Sequence, residues 1–249
     1  MEQEFPGPRT AIVTGGARRI GAALVRALAA DGWHVLIHFN RSTEDAERLA
    51  AEIGNAATVQ AELGAPDCAE RIVAGLAGLP PVRLLVNNAS QFRNDSHGDF
   101  TAALWDEHQA VNLRAPALLT QAFAAALGDG SGLIVNLLDA KLAAPNPDFY
   151  TYTISKMGLA GLTELSARAL APRVRVCGIA PSVTMVSGPQ SRDNFDAVHR
   201  LNALGRGVEA DQIVAALRFI IASPTLTGQT ITLDAGLRFL SLPRDVQYL

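Results

Sequence analysis

Short β-branched runs alternate with longer alanine-rich stretches along nearly the whole chain of 249 residues, and this alternation narrows the fold more than any other feature. Thr10 to Thr14, His34 to Phe39, Thr58 to Ala61, Arg83 to Val86, Leu133 to Leu138, Arg175 to Ile179 and Thr230 to Leu233 read as strands. Helical patterns fall between them, from about Ile20 to Ala30, Glu44 to Ile53, Asp106 to Leu127 and Tyr152 to Leu170. Runs such as Leu84-Leu85-Val86 and Leu133-Ile134-Val135 are apolar at every position, as strands covered on both faces require. Strands joined by helices at this pace form right-handed crossovers and a parallel, doubly wound sheet. No linker, repeat or low-complexity segment interrupts the pattern, so residues 1–249 are expected to form one α/β domain.

Composition removes several function classes. Hydrophobic residues make up 49% and charged residues 18%, which suits a packed core and not a disordered chain. A net charge of -3 gives no electrostatic case for nucleic acid or an anionic membrane. No apolar run approaches the roughly 18 residues of a membrane span, and residues 1–9 lack the apolar core of a signal peptide. Cys68 and Cys177 follow no CxxC or metal spacing. The expectation is a cytoplasmic protein without membrane or nucleic-acid partners. The five histidines, at 34, 38, 97, 108 and 199, show no ligand spacing, so no metal is expected and each is assigned to solvent or ordinary packing.

Ligands of doubly wound sheets bind at the carboxyl ends of the strands. The first strand runs directly into Thr14-Gly15-Gly16-Ala17-Arg18-Arg19-Ile20-Gly21. Gly15 permits a tight turn, Gly21 lets the following helix approach the sheet, and the amides around Ile20 can receive a pyrophosphate. The second strand ends His38-Phe39-Asn40-Arg41-Ser42, with no acid before Glu44. An acid there grips a ribose hydroxyl, whereas Arg41 and Ser42 suit a 2′-phosphate, so the reading favours NADPH/NADP+ over NAD(H). Ser42 also suits a helix N-cap.

Tyr152 and Lys156 stand four residues apart in Tyr152-Thr153-Ile154-Ser155-Lys156, on one face of a helix. An ammonium beside a phenol stabilises the phenolate and lowers its pKa, which makes an acid/base for neutral pH. A lone pair of this kind usually means nothing; its place in the chain carries the argument. Asp139 stands thirteen residues upstream, in Asn136-Leu137-Leu138-Asp139-Ala140.

With these pieces in place, the chain resembles the short-chain dehydrogenase/reductase family over nearly its whole length, and with it a Rossmann-like fold. The resemblance rests on the turn at Thr14 to Gly21, on Asn87-Asn88-Ala89, on Asn112 in Val111-Asn112-Leu113 and on Tyr152/Lys156. Ala180-Pro181 and Thr227-Gly228-Gln229 complete it. It implies that Tyr152 is the acid/base, that Lys156 tunes it and holds the nicotinamide ribose, and that Asn112 supports a water relay. It places Asn88, Ala89 and Pro181 along the cofactor. Glu62, where the family usually has Asp, is assigned to the adenine together with Leu63.

Two departures matter. Arg19 replaces the middle glycine of the family's TGxxxGxG turn, and Asp139 replaces its catalytic serine. Both are shared by the pteridine reductases and the similar bacterial dihydromonapterin reductases, which His38 to Ser42 and Asn88-Ala89-Ser90-Gln91-Phe92 also echo. That resemblance implies that Arg19, with Arg18 as its alternative, reaches the pterin and the cofactor phosphate. Ser90 then contacts the cofactor, and Phe92 stacks on the pterin.

The chemistry agrees. An ionised aspartate only accepts, so it repels a developing ketone oxygen but suits a heterocycle rich in N–H groups reduced at C=N. In this reading Asp139 hydrogen-bonds Tyr152 and helps relay the proton. The plainer alternatives are that Asp139 caps a turn and Phe92 is core. The expected reaction is NADPH-dependent reduction of a dihydropterin or dihydrofolate. A carbonyl or 3-oxoacyl-thioester reductase and a non-catalytic NADP-binding subunit stand as the other readings. Residues 182–204, with Gly188-Pro189, read as a mobile lid. The tail 237–249 is expected to pack on a neighbouring subunit of a homotetramer, or homodimer, as the resemblance implies.

Overall fold

The computed structural model describes residues 4–186 and 191–248. Seven strands form one sheet: β1 (Thr10–Val13), β2 (His34–Phe39), β3 (Ala56–Gln60), β4 (Val82–Asn87), β5 (Gly132–Leu137), β6 (Val174–Pro181) and β7 (Thr230–Leu233). Their order is β3-β2-β1-β4-β5-β6-β7, and every pairing is parallel. The expected single doubly wound sheet is therefore observed. Strands β1, β4 and β5 are buried at nearly every position, which is why they read as continuous apolar runs.

Helices α1 (Arg19–Ala30), α2 (Thr43–Ile53) and α8 (Ala210–Ile221) cover one face, with Leu24, Val25, Leu28, Leu49, Ile213 and Leu217 packed on Val13, Ile37 and Val86. Helices α3 (Cys68–Ala74) and α5 (Ala115–Ala126) cover the other, where Ile72, Leu119 and Phe123 meet Ile12, Leu85 and Ile134; α6 (Tyr150–Leu170) joins them there through Ala167. Helix α4 (Ala102–Gln109) precedes α5, and α7 (Arg192–Val198) follows β6.

Several boundaries depart from expectation. The helix read from Asp106 to Leu127 begins at Ala102, capped by the Thr101 side chain, and contains a π-helical turn at Ala110–Arg114 that carries Asn112. A single π-turn of five residues is too short to leave a periodicity signal of its own. Helices α3, α7 and α8 were not expected. Strand β3 starts two residues early, at Ala56, because its backbone pairs with Val35 whatever its side chains are. Helix α6 starts at Tyr150, not Tyr152. The residue before it, Phe149, sits at φ 52°, and Asp95 from a distant loop accepts the Thr151 amide at 3.1 Å.

The order in which strands are added reverses between β1 and β4, the switch point at which the carboxyl ends of the strands open a crevice. Among the described residues, no helix is long and apolar enough to cross a membrane.

Candidate active site

The turn between β1 and α1 is held from three sides. Thr14 Oγ1 accepts the amides of Asn88 and Ala89, each at 3.0 Å, and Asn88 Nδ2 donates to the carbonyls of Thr14 at 2.8 Å and Gly15 at 3.1 Å. His38 Nε2 lies 3.1 Å from the Ala61 carbonyl, and its Nδ1 accepts the Gly15 amide at 3.1 Å. Burial pushes the His38 pKa down, so the ring stays neutral and can donate on one side while accepting on the other. His38 thus braces the glycine turn, a role no ligand spacing could reveal. A Cβ at Gly21 would lie 2.1 Å from the Gly15 carbonyl oxygen, so only glycine lets α1 come this close.

No side chain caps the N-terminus of α1, and its first turn contains no acid. That end of the helix, with Gly15, Ile20 and Gly21 on the wall of the chamber described below, fits the diphosphate of a dinucleotide. Arg19 sits at φ 54°, in the left-handed region where the family's glycine belongs, at a cost of ~1 kcal/mol. Its guanidinium donates to the carbonyls of Met185 and Val186, spanning the mouth of the cleft. Arg18 pairs with Asp45 on α2, and both arginines line the chamber, but only Arg19 bridges α1 to the segment after β6.

At the end of β2, Arg41 is exposed and makes no ion pair or hydrogen bond among the described residues. Ser42 occupies the N-cap position of α2 but makes no side-chain cap, which leaves its hydroxyl free to meet a phosphate. Asn40 donates to Glu62 Oε2 at 2.5 Å, and Glu62 Oε1 accepts the Gly64 amide at 3.2 Å; Leu63 is buried beneath them. The expected 2′-phosphate and adenine residues therefore lie together on one edge.

A chamber of about 630 Å³ runs from this turn to the chain's C-terminal segment, lined by Ser90, Phe92, Asp139, Tyr152, Lys156 and Pro181 among others. Tyr152 and Lys156 are both buried, at 6% and 3% exposure. The Tyr152 hydroxyl donates to Asp139 Oδ2 at 2.6 Å, while Asp139 Oδ1 accepts the Lys141 amide at 2.8 Å. Asp139 therefore does both things the sequence left open: it caps a short turn and binds the tyrosine. It is half-buried on the chamber wall, and desolvation pushes its pKa up.

Lys156 does not act on the phenol as expected. Its Nζ donates to the Leu137 carbonyl at 2.7 Å and lies 5.8 Å from the centre of the Tyr152 ring. The Tyr152 pKa is raised well above its ordinary value, first by burial and then by the Asp139 carboxylate, so Tyr152 is a phenol near neutrality. Burial brings Lys156 down to about 8, the Asp139 charge opposing it. For Tyr152 the aspartate adds to the larger effect of burial, since the serine it replaces would carry no charge against the phenolate.

Asn112 makes four hydrogen bonds through its side chain. Oδ1 accepts from the Gln91 amide at 2.7 Å and Ser90 Oγ at 3.3 Å, and Nδ2 donates to the Gln91 carbonyl at 2.9 Å and Ser155 Oγ at 3.0 Å. An amide side chain has two donors and about two acceptor sites, so these fill it. The expected water relay has no side-chain valence to use here, and Asn112 instead clamps the 90–92 loop to α6.

That clamp places Phe92, which is half-buried, stacked on Phe149 at 4.3 Å between ring centres and edge-on to Tyr152 at 4.7 Å. Phe92 is thus part aromatic core and part chamber wall.

The segment 182–204 is tied down in its described part. Phe195 and Val198 of α7 are buried, and His199 reaches the Val183 carbonyl and Glu209 Oε1, each at 3.0 Å. Gly188 and Pro189, the basis for a mobile lid, lie outside the described residues. In the C-terminal tail, Leu242, Asp245, Val246 and Gln247 line the chain's own chamber. Among the described residues no cluster of side chains could hold a metal ion.

A buried Tyr/Lys helix, a glycine turn at the switch point and a chamber joining them define an oxidoreductase that works with a dinucleotide. A family model described as short chain dehydrogenase matches residues 9–195, and the chain belongs to that family. It is similar to a crystal structure of FolM Alternative dihydrofolate reductase 1 from Brucella suis in complex with NADP. The identity is 40%, over 92% of this chain and 95% of that one, with a TM-score of 0.89. It is 29% identical to Pteridine reductase 1 of Leishmania tarentolae, over 93% of this chain and 96% of the relative. It is also 29% identical to Granaticin polyketide synthase putative ketoacyl reductase 2 of Streptomyces violaceoruber, over 96% of this chain and all of the relative.

Proposed function

We propose that this enzyme uses NADPH to reduce a dihydropterin or dihydrofolate to its tetrahydro form. The single observation that carries the reading is the 2.6 Å hydrogen bond from the Tyr152 hydroxyl to Asp139 Oδ2, on a chamber wall shared with Phe92. Supporting it are the pteridine reductase and the NADP-bound alternative dihydrofolate reductase among its relatives.

Bound NADPH supplies the hydride. Arg41 and Ser42 hold its 2′-phosphate, the start of α1 its diphosphate, and Lys156 its nicotinamide ribose. Phe92 gives the flat heterocycle a surface to stack on. Each carboxylate oxygen of Asp139 accepts one bond within the protein and keeps a lone pair for a ring N–H or amino group of the substrate. Tyr152, held as a phenol by burial and by Asp139, gives its proton to the nitrogen of the reduced C=N bond. Asp139, whose raised pKa brings its proton affinity nearer to neutrality, then helps return a proton from the solvent side of the chamber.

The ketoacyl reductase among the relatives keeps a second reading in view. It requires a donor to the carbonyl oxygen where Asp139 places an acceptor, so the pterin reading is preferred. Met157 and Leu165, exposed on α6, suit the expected homotetramer, and the enzyme is taken to work in the cytoplasm. The test follows NADPH oxidation with dihydromonapterin, dihydrobiopterin, dihydrofolate and a 3-oxoacyl thioester in parallel. Turnover of at least one pterin or folate is expected; turnover of the thioester alone refutes the proposal.

A further inference from the structure

The chamber wall facing Asp139 is built from the chain's own last residues, and one ion-pair network holds it there. Asp148, just ahead of α6, accepts Arg244 Nε and the Asp245 amide, each at 2.7 Å through Oδ2. Lys141, two residues after Asp139, donates through Nζ to the Asp148 carbonyl at 2.5 Å and to Asp245 Oδ2 at 3.3 Å. Both members of this pair are largely buried, with side chains 9% and 16% exposed. The Lys141 amide meanwhile donates to Asp139 Oδ1. One residue thus grips Asp139 with its backbone and the C-terminal segment with its side chain. Tyr248 extends the aromatic wall, lying 6.0 Å from Phe149, which in turn stacks on Phe92.

We propose that Lys141 and Asp245 are positioning residues for the reaction: their ion pair docks residues 242–248 as a wall of the substrate chamber and sets the charge that Asp139 and Tyr152 face. The inference rests on the acid/base reading of those two residues. The charged and titratable groups facing Asp245 are Lys141 from the turn after β5, Asp148 ahead of α6, and Arg244 and Tyr248 on its own segment. Across the chamber stand Asp139 and Tyr152, with Lys156 behind them. Burial is the chief reason that Asp139 and Tyr152 hold their protons tightly, and the Asp245 charge adds to it. Two further oxygens fix the segment's shape: Asp148 Oδ1 accepts Arg244 Nε at 3.0 Å, and Asp245 Oδ1 accepts the Gln247 amide at 3.1 Å.

Two near-isosteric changes push this charge in opposite directions. Asp245→Asn removes a negative charge, so Asp139, Tyr152 and Lys156 all release protons more readily. Lys141→Met removes the positive partner and leaves the Asp245 carboxylate uncompensated, so all three hold them longer. The alkaline limb of the kcat/KM profile is expected to move down by about half a pH unit in Asp245→Asn and up by a similar amount in Lys141→Met. KM for the reducible substrate should rise in both, while the Kd for NADPH stays within roughly twofold of the parent enzyme.

The profiles are measured with whichever substrate of the panel the parent enzyme reduces, so failure of the pterin assignment leaves this comparison intact. Limbs that move together, or do not move, overturn the proposal; so do losses of NADPH affinity as large as the rise in KM. Deletion of residues 242–249 is a second measurement should either point variant not fold. It is expected to bind NADPH normally with a KM raised roughly tenfold, and an unchanged KM overturns the assignment.

Discussion

Replacing Asp139 by Asn separates its charge from its shape. Asn keeps an acceptor for the Lys141 amide, now made at 2.8 Å, so the turn after β5 should survive. What it loses is the ionised acceptor 2.6 Å from the Tyr152 hydroxyl. A hydrogen bond to a charged group contributes about 1.5–3 kcal/mol. If that stabilisation serves the proton-transfer step, each ~1.4 kcal/mol is tenfold in rate, and kcat/KM for the dihydropterin should fall roughly ten- to hundredfold. Asp139 is half-buried on the chamber wall, so solvent screening puts the loss toward the lower end of this range.

The assay is the initial rate of NADPH oxidation at fixed saturating cofactor, with the Kd for NADPH and the melting temperature as controls. Both controls should stay close to the parent values, since Asp139 touches neither the glycine turn nor the core. Asp139→Ser, which supplies a hydroxyl donor, should lose pterin turnover in the same way and gain activity on a 3-oxoacyl thioester. Pterin turnover unchanged in Asp139→Asn, with an intact fold, refutes the role assigned to the carboxylate.

Arg41→Ala should weaken NADPH binding far more than NADH binding, by about 1.5–3 kcal/mol for a lost charge-assisted contact; equal losses in a fluorescence titration remove the 2′-phosphate assignment. Gly21→Ala should destabilise the fold by about 1–3 kcal/mol and abolish tight cofactor binding, because the new methyl meets backbone 2.1 Å away; a parent-like melting curve contradicts that geometry. Lys156, lowered to about 8 by burial, is charged below that pH and loses its proton above it. The kcat/KM of the free enzyme should accordingly hold below about pH 8 and fall with rising pH beyond it, and a flat profile to pH 10 would count against a charged Lys156.

Fold and site were unequally legible in the sequence. The apolar strands β1, β4 and β5 announce themselves because burial on both faces forces every position to be apolar. Helices α3 and α7, of seven residues each, are too short for their periodicity to stand out. Arg19 was visible as a departure from a glycine pattern, but only the backbone shows that it adopts the left-handed conformation the glycine would have taken. His38 and Asn112 were visible as residue types, while their work as braces depends on partners 23 and 21 positions away.

Residue order by itself determined the doubly wound sheet, the glycine turn between β1 and α1, and the identity of the tyrosine, lysine and aspartate. These follow from local rules: side-chain period, backbone freedom and short spacing along one helix. Tertiary structure decided how those three residues divide the chemistry. Lys156 donates to the Leu137 carbonyl, and Asp139 accepts a hydrogen bond from the buried Tyr152 hydroxyl, so burial and the carboxylate together raise the phenol's affinity for its proton. It also brought Asp245 to the same chamber from 106 positions beyond Asp139 in the chain, which no pattern in the sequence indicates. The physical reason is that charge and burial act through space, and only the folded chain sets which groups share a low-dielectric site.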